Sequence, residues 1–135
     1  MNEEQAIELV GQRFVERWAI ESINVAFSLE NEAAPDAETF AALSVQHTYS
    51  SQASLGARPR MERRGWIYVK LWGPCNKGRQ GTSRLADAAR RVFERQSLGA
   101  GEPLIVFAGL TREIGVDGRW YRSSVQFPFT YYEQT

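Results

Sequence analysis

A chain of 135 residues, 43% apolar and 24% charged, is long enough to bury roughly two-thirds of its unfolded surface and has the length of one domain. Its 16 basic residues balance 16 acidic ones, which argues against a nucleic-acid binder, where a basic domain is expected. One cysteine, Cys75, excludes an intramolecular disulfide and a multi-cysteine zinc site; no apolar run nears the roughly 20 residues of a membrane helix, and the acidic start MNEEQAIELV is unlike a signal peptide, so folding in a cytoplasm is expected.

Residues 3–19 predict a first helix. Asn2 is placed as its N-cap, with Gln5 positioned for the return contact, and Glu3 and Glu4 suit the positive end of the helix dipole. Ile7, Val10, Phe14 and Trp18 form the apolar stripe. Ile23, Val25, Phe27 and Leu29 then alternate with Asn24, Ala26 and Ser28, the pattern of a half-buried strand. The acidic stretch that follows holds Pro35 and reads as a loop. Alternation returns from Phe40 to about Ser51, with Leu43, Val45, His47 and Tyr49 on one side. Residues 52–64, punctuated by Gly56 and Pro59 and rich in arginine, read as a long hairpin tip. Mobile loops are thus expected at about 31–39 and 52–64.

The stretch from Gly65 to Phe93 organises the rest. Trp66, Tyr68, Lys70 and Trp72 alternate with Ile67, Val69 and Leu71, a strand that Pro74 ends. A glycine-rich loop follows, then a helix capped by Thr82 or Ser83, with Leu85, Ala88, Ala89, Val92 and Phe93 on one face. That helix is expected to end near Gln96–Ser97, stopped by Gly99 and Gly101. Leu104–Ala108 suits a buried strand and Arg112–Val116 a short one. Asp117-Gly118 is a two-residue hairpin signal, and Trp120 to Tyr132 a long strand with Tyr121, Ser123, Val125, Phe127 and Phe129 on one face. Pro128 lacks a ladder donor, which predicts an edge strand or a bulge. The order α-β-β-β-α-β-β-β gives an α+β class: a single domain, 1–135, with a mainly antiparallel or mixed sheet and two helices packed on one face.

No catalytic, cofactor-binding or metal-binding set is predicted, and no cofactor. Gly73–Gly78 has the first spacing of a phosphate-binding Walker A loop but lacks its Lys-Ser/Thr end, so a flexible turn is the simpler reading of Gly73–Gly81. His47 is the sole histidine and lies mid-strand; Cys75 has no evident base. Glu30, Glu32, Asp36 and Glu38 crowd one loop without an EF-hand pattern. Arg58, Arg60, Arg63 and Arg64 make the hairpin tip basic. The two loops are complementary, either across subunits or within one molecule. Trp66, Tyr68, Trp72, Trp120, Tyr131 and Tyr132 exceed what the inward faces need, and such residues favour interfaces.

The chain resembles the tail terminator-like proteins of long-tailed bacteriophages and prophages, the minor tail protein group exemplified by lambda. The N-terminal helix, VAFSLEN at Val25–Asn31, FAALSVQHT at Phe40–Thr48, RRGWIYVKLWGPCNKGRQGTSRLADAARRVF at Arg63–Phe93 and DGRWYRSSVQFPF at Asp117–Phe129 carry the resemblance by order and spacing. The turn after the first strand, aromatic- or proline-rich in the family, is here acidic. The resemblance implies a non-enzymatic virion protein, made in the bacterial host cytoplasm and located in the virion tail. It implies a monomer or other free state that assembles as a homo-hexameric ring on the tail tube protein. The ring stops tube polymerisation and offers its far face to the head-tail connector protein, with no membrane and no specific nucleic acid as partner. The eight charged loop residues are then candidates for the subunit or tube interface. A head-tail joining protein on the connector side is the alternative, and a small nucleotide-binding or enzymatic domain using Gly73–Gly81 the alternative from another class.

Overall fold

Asn2 opens the first helix, α1 (Glu3–Ser22), through a reciprocal capping pair: the Gln5 N–H donates to Asn2 Oδ1 (2.8 Å) and the Asn2 N–H to Gln5 Oε1 (2.9 Å). The computed structural model describes residues 1–22, 25–29, 32, 37–52, 54–77, 80–99, 101 and 103–134. Ala6, Val10, Phe14 and Trp18 are fully buried, and their strict spacing of four sets the inward stripe. Ile7, expected in that stripe, falls beside it and is 36% exposed.

The strands β1 (Ala26–Ser28), β2 (Phe40–Gln52) and β3 (Arg60–Pro74) follow. A 3₁₀ turn at Cys75–Lys77 leads into α2 (Gln80–Phe93). Then come β4 (Ser97–Leu98), β5 (Leu104–Val106), β6 (Leu110–Asp117) and β7 (Trp120–Gln134). These seven strands make one mixed sheet in the order β1-β2-β3-β7-β5-β4, with β6 also on β7. Among the described residues only the β1–β2 pair is parallel. The α+β class and both helices on one sheet face are as the sequence predicts. Ile67, Val69 and Leu71 of β3 and Val125 and Phe127 of β7 point into the core, under Ala88, Ala89, Val92 and Phe93 of α2. Phe93 joins the layers, its ring 6.1 Å from Phe14 and 5.6 Å from Phe127.

Several boundaries depart from expectation. The strand expected over Ile23–Leu29 is described only as Ala26–Ser28; Ile23 and Asn24 lie outside the described residues. β3 starts at Arg60, so the loop expected over 52–64 is strand for nearly half its length. Charged side chains read as loop, but a ribbon tolerates them where neighbouring strands supply partners. α2 starts at Gln80, which places Thr82, an expected cap, buried in its first turn. It stops at Phe93, before Gln96–Ser97, because Arg95 takes φ 56°. Arg13 of α1 then donates from Nε to the Val92 carbonyl (3.0 Å) and from its guanidinium to Gln96 Oε1 (3.0 Å), serving the unpaired helix end.

Two more differences involve the pleat. The register slips between His47 and Tyr49, and this bulge moves Tyr49 from the helix side, where alternation places it, to the open face. β7 is central, not an edge, although it contains Pro128. The Pro128 carbonyl accepts from the Phe107 N–H (2.9 Å), at the interruption between β5 and β6, so the missing proline N–H costs no regular ladder bond. The β6–β7 hairpin turns on Gly118 and Arg119, with Gly118 at φ 62° in the first loop position.

Candidate functional site

The described members of the predicted charged set lie on or beside the β2–β3–β7 ribbon. At the Phe40 end, Glu32 and Glu38 are exposed, and the Glu32 N–H donates to the Leu29 carbonyl (3.2 Å). Glu38 borders a hollow of about 350 Å³ with Ala37, Pro74, Arg119 and Trp120. Glu30 and Asp36 lie outside the described residues.

At the other end the four arginines part company. Arg58 is exposed in the hairpin tip. Arg60, Arg63 and Arg64 belong to β3 and are held by their neighbours. The Arg60 guanidinium lies 4.0 Å from the Tyr132 ring centroid. Arg63 donates from Nε to Glu133 (2.9 Å) and from a terminal nitrogen to Ser50 Oγ (2.9 Å). Arg64 donates to Glu62 (2.5 Å), whose hydrogen bond and charge raise its pKa further above the ordinary value. The 13 residues of β2 span roughly 40 Å, and charges are screened within about 8 Å at physiological salt. Glu38 and Arg58 therefore do not pair within one copy.

The sheet face opposite the helices is the second surface. Trp66, Tyr68, Trp72, Trp120 and Tyr132 are half-buried there, as the surplus of aromatics predicts. Phe40 stacks on Trp72 (centroids 4.7 Å apart), and Arg122 lies over Trp72 (5.0 Å) while ion-paired to Asp117 (3.0 Å). Tyr131 is the exception: it is fully buried on the helix side, its hydroxyl 2.7 Å from His47 Nε2. His47 is half-buried, with the Phe129 ring edge-on at 5.5 Å, so the histidine serves packing.

The remaining candidates are not brought together. Cys75 is exposed in the 3₁₀ turn, and Gly78 and Arg79 of the glycine loop lie outside the described residues. Among the described residues no group of three or more His, Cys, Asp and Glu side chains is arranged to hold a metal ion, and no helix is long and apolar enough to cross a membrane. One feature escaped the sequence reading: an apolar groove between α1 and β2. Its signal was present as Ile7, Gly11 and Val15, a second line of uncharged residues spaced by four along α1.

No family model matches the chain, and no curated protein does. Solved structures do. One, of a protein without a functional name, superposes with a TM-score of 0.71 at 14% identity, covering 97% of this chain and 96% of the other. Another is a chain of the virion of a native gene transfer agent (GTA) particle, with a TM-score of 0.61 at 13% identity, covering 96% and 94%. At these identities the likeness is one of fold, along almost the whole of each chain.

Proposed function

We propose that this chain is a non-enzymatic structural component of a phage-like particle, and that it is a tail terminator. On this reading six copies close a ring on the last ring of the tail tube, end its polymerisation and present the far face to the head connector. The observation that carries it is the end-to-end fold likeness to a chain of the GTA virion. The polarity of the molecule supports it. A ring closes only through a heterologous contact, in which patch and counter-patch differ on one subunit. Glu38 and Arg58 lie at opposite ends of the ribbon, so a contact between the two is one between copies. A growing tube end displays an unsatisfied surface; a cap matches it on one side and fails to reproduce it on the other.

The test is incubation of the purified protein with tail tubes of its cognate particle, followed by pelleting and electron microscopy of the tube ends. Rings on one end with elongation stopped are expected. Binding to isolated connectors but not to tubes would replace the terminator with a head-tail joining protein. Binding to neither would remove both.

A further inference from the structure

The hairpin tip between β2 and β3 presents a large apolar side chain to solvent: Leu55 is 93% exposed. It is presented by design of the loop base. Ser54 Oγ accepts from the Arg60 N–H (2.7 Å), and the Ser54 carbonyl accepts from Gln52 Nε2 (2.8 Å). The residue before Leu55 is thereby tied to both strands, and Gly56 at φ 118° turns the chain away after it. Arg58 follows on the same tip, also exposed.

The groove that the sequence reading missed has the complementary character. It holds about 480 Å³ between α1 and β2, with Ile7, Val15, Leu29, Leu43 and Val45 as an apolar floor. Glu8 and Glu16 of α1 line it as well, and Glu32 is tied by its N–H to Leu29 at one end. At Gly11 there is room: a Cβ built there meets nothing within 4 Å. Apolar side chains bordering such a space gain by burial against a matching partner.

We infer that the groove receives the hairpin tip of a second copy of this chain, Leu55 entering the apolar floor and Arg58 meeting the carboxylates of Glu8 and Glu16. Tip and groove are unlike patches on one subunit, so each copy engages one neighbour by its tip and another by its groove. That is a heterologous contact of the kind a ring requires. The inference rests on the ring reading above and supplies its subunit contact. The acidic counter-patch then extends from the loop at Glu32 and Glu38 onto α1.

The test uses full-length chains in a Cys75→Ser background. A Leu55→Cys copy is mixed with a Val15→Cys copy and bridged with a short bismaleimide. The control partner carries Val116→Cys, at a position 68% exposed and far from the groove on β6. Docking raises the local thiol concentration, so the 55–15 pair is expected to form about tenfold faster or more than the 55–116 pair. Adding Gly11→Leu to the Val15→Cys copy fills the groove and is expected to abolish the advantage, while its unchanged melting curve shows the helix intact. Equal rates for the two pairs, or an advantage that survives Gly11→Leu, overturn the inference. Tube capping by the same preparations separates the two readings. Capped tubes without 55–15 bridging leave the terminator standing and remove this contact. Bridging with uncapped tubes does the reverse.

Discussion

At the scale of single residues, Tyr131 and His47 show how the fold uses polar groups whose chemistry invites another reading. Tyr131 is fully buried, and burial pushes its pKa up to about 12, with Glu3 and Glu133 adding to the shift and Arg63 opposing it. The folded protein therefore holds the phenol proton more tightly than the unfolded chain, whose tyrosine titrates near 10.0. The sign follows from linkage: this stability is complete below pH 10 and is lost as pH rises toward 12. The loss is on the order of 1–2 kcal/mol once solvent screening is allowed for. Tyr131→Phe removes that titration and leaves the His47 ring nitrogen without its partner. The variant is expected to be about 1 kcal/mol less stable at neutral pH, yet to close that gap in alkali. Urea melts of both proteins at neutral pH and above pH 10 check this; a gap that stays constant would remove Tyr131 from the alkaline response.

At the scale of elements, alternation made the strands legible, and four-residue spacing the helices. Trp66 to Trp72, Trp120 to Phe129 and the α2 face lie as their periods predict, because each faces a buried and an open side. What failed to show was whatever depends on a partner distant in sequence. Arg60 and Arg63 looked like loop because their partners, Tyr132 and Glu133, come some seventy residues later. The slip at Thr48 leaves no local mark, yet it turns Tyr49 over. Pro128 marked an edge or a bulge by rule, and the rule was satisfied instead by a gap between two neighbouring strands. Of the candidate charged residues, the exposure of Glu32, Glu38 and Arg58 was legible, but not which arginines are committed to the ribbon. Gly65 belongs to this scale too. Opposite the slipped register its side-chain space is taken by the Gln46 carbonyl and by the Phe129 ring, whose Cζ would lie 2.7 Å from an added Cβ. Gly65→Ala is expected to cost about 2–3 kcal/mol, since backbone and a buried ring must both move. Its urea midpoint measures this, and a loss under about 0.5 kcal/mol would mean the bulge yields freely.

At the scale of the whole molecule, the core and the proposed subunit contact are kept apart. Among the described residues, the fully buried side chains come from α1, α2 and the inward faces of β2, β3, β5 and β7, and none from the hairpin tip. A device so placed is removable. Replacing residues 53–60 with Asn-Gly joins β2 to β3 by a two-residue hairpin loop and keeps Gln52 opposite Met61. Shortening the loop changes the closure entropy by only about 1 kcal/mol, in the stabilising direction. The variant is therefore expected to melt within a few degrees of the parent chain and to remain monodisperse. It is also expected to leave tail tubes uncapped and free to elongate, because the subunit that lacks a tip offers a groove but fills none. Rings on tube ends formed by this variant would move the subunit contact elsewhere, the open aromatic face of the sheet being the next surface to test. A variant that failed to fold would show that the tip contributes to stability, against its separation from the core.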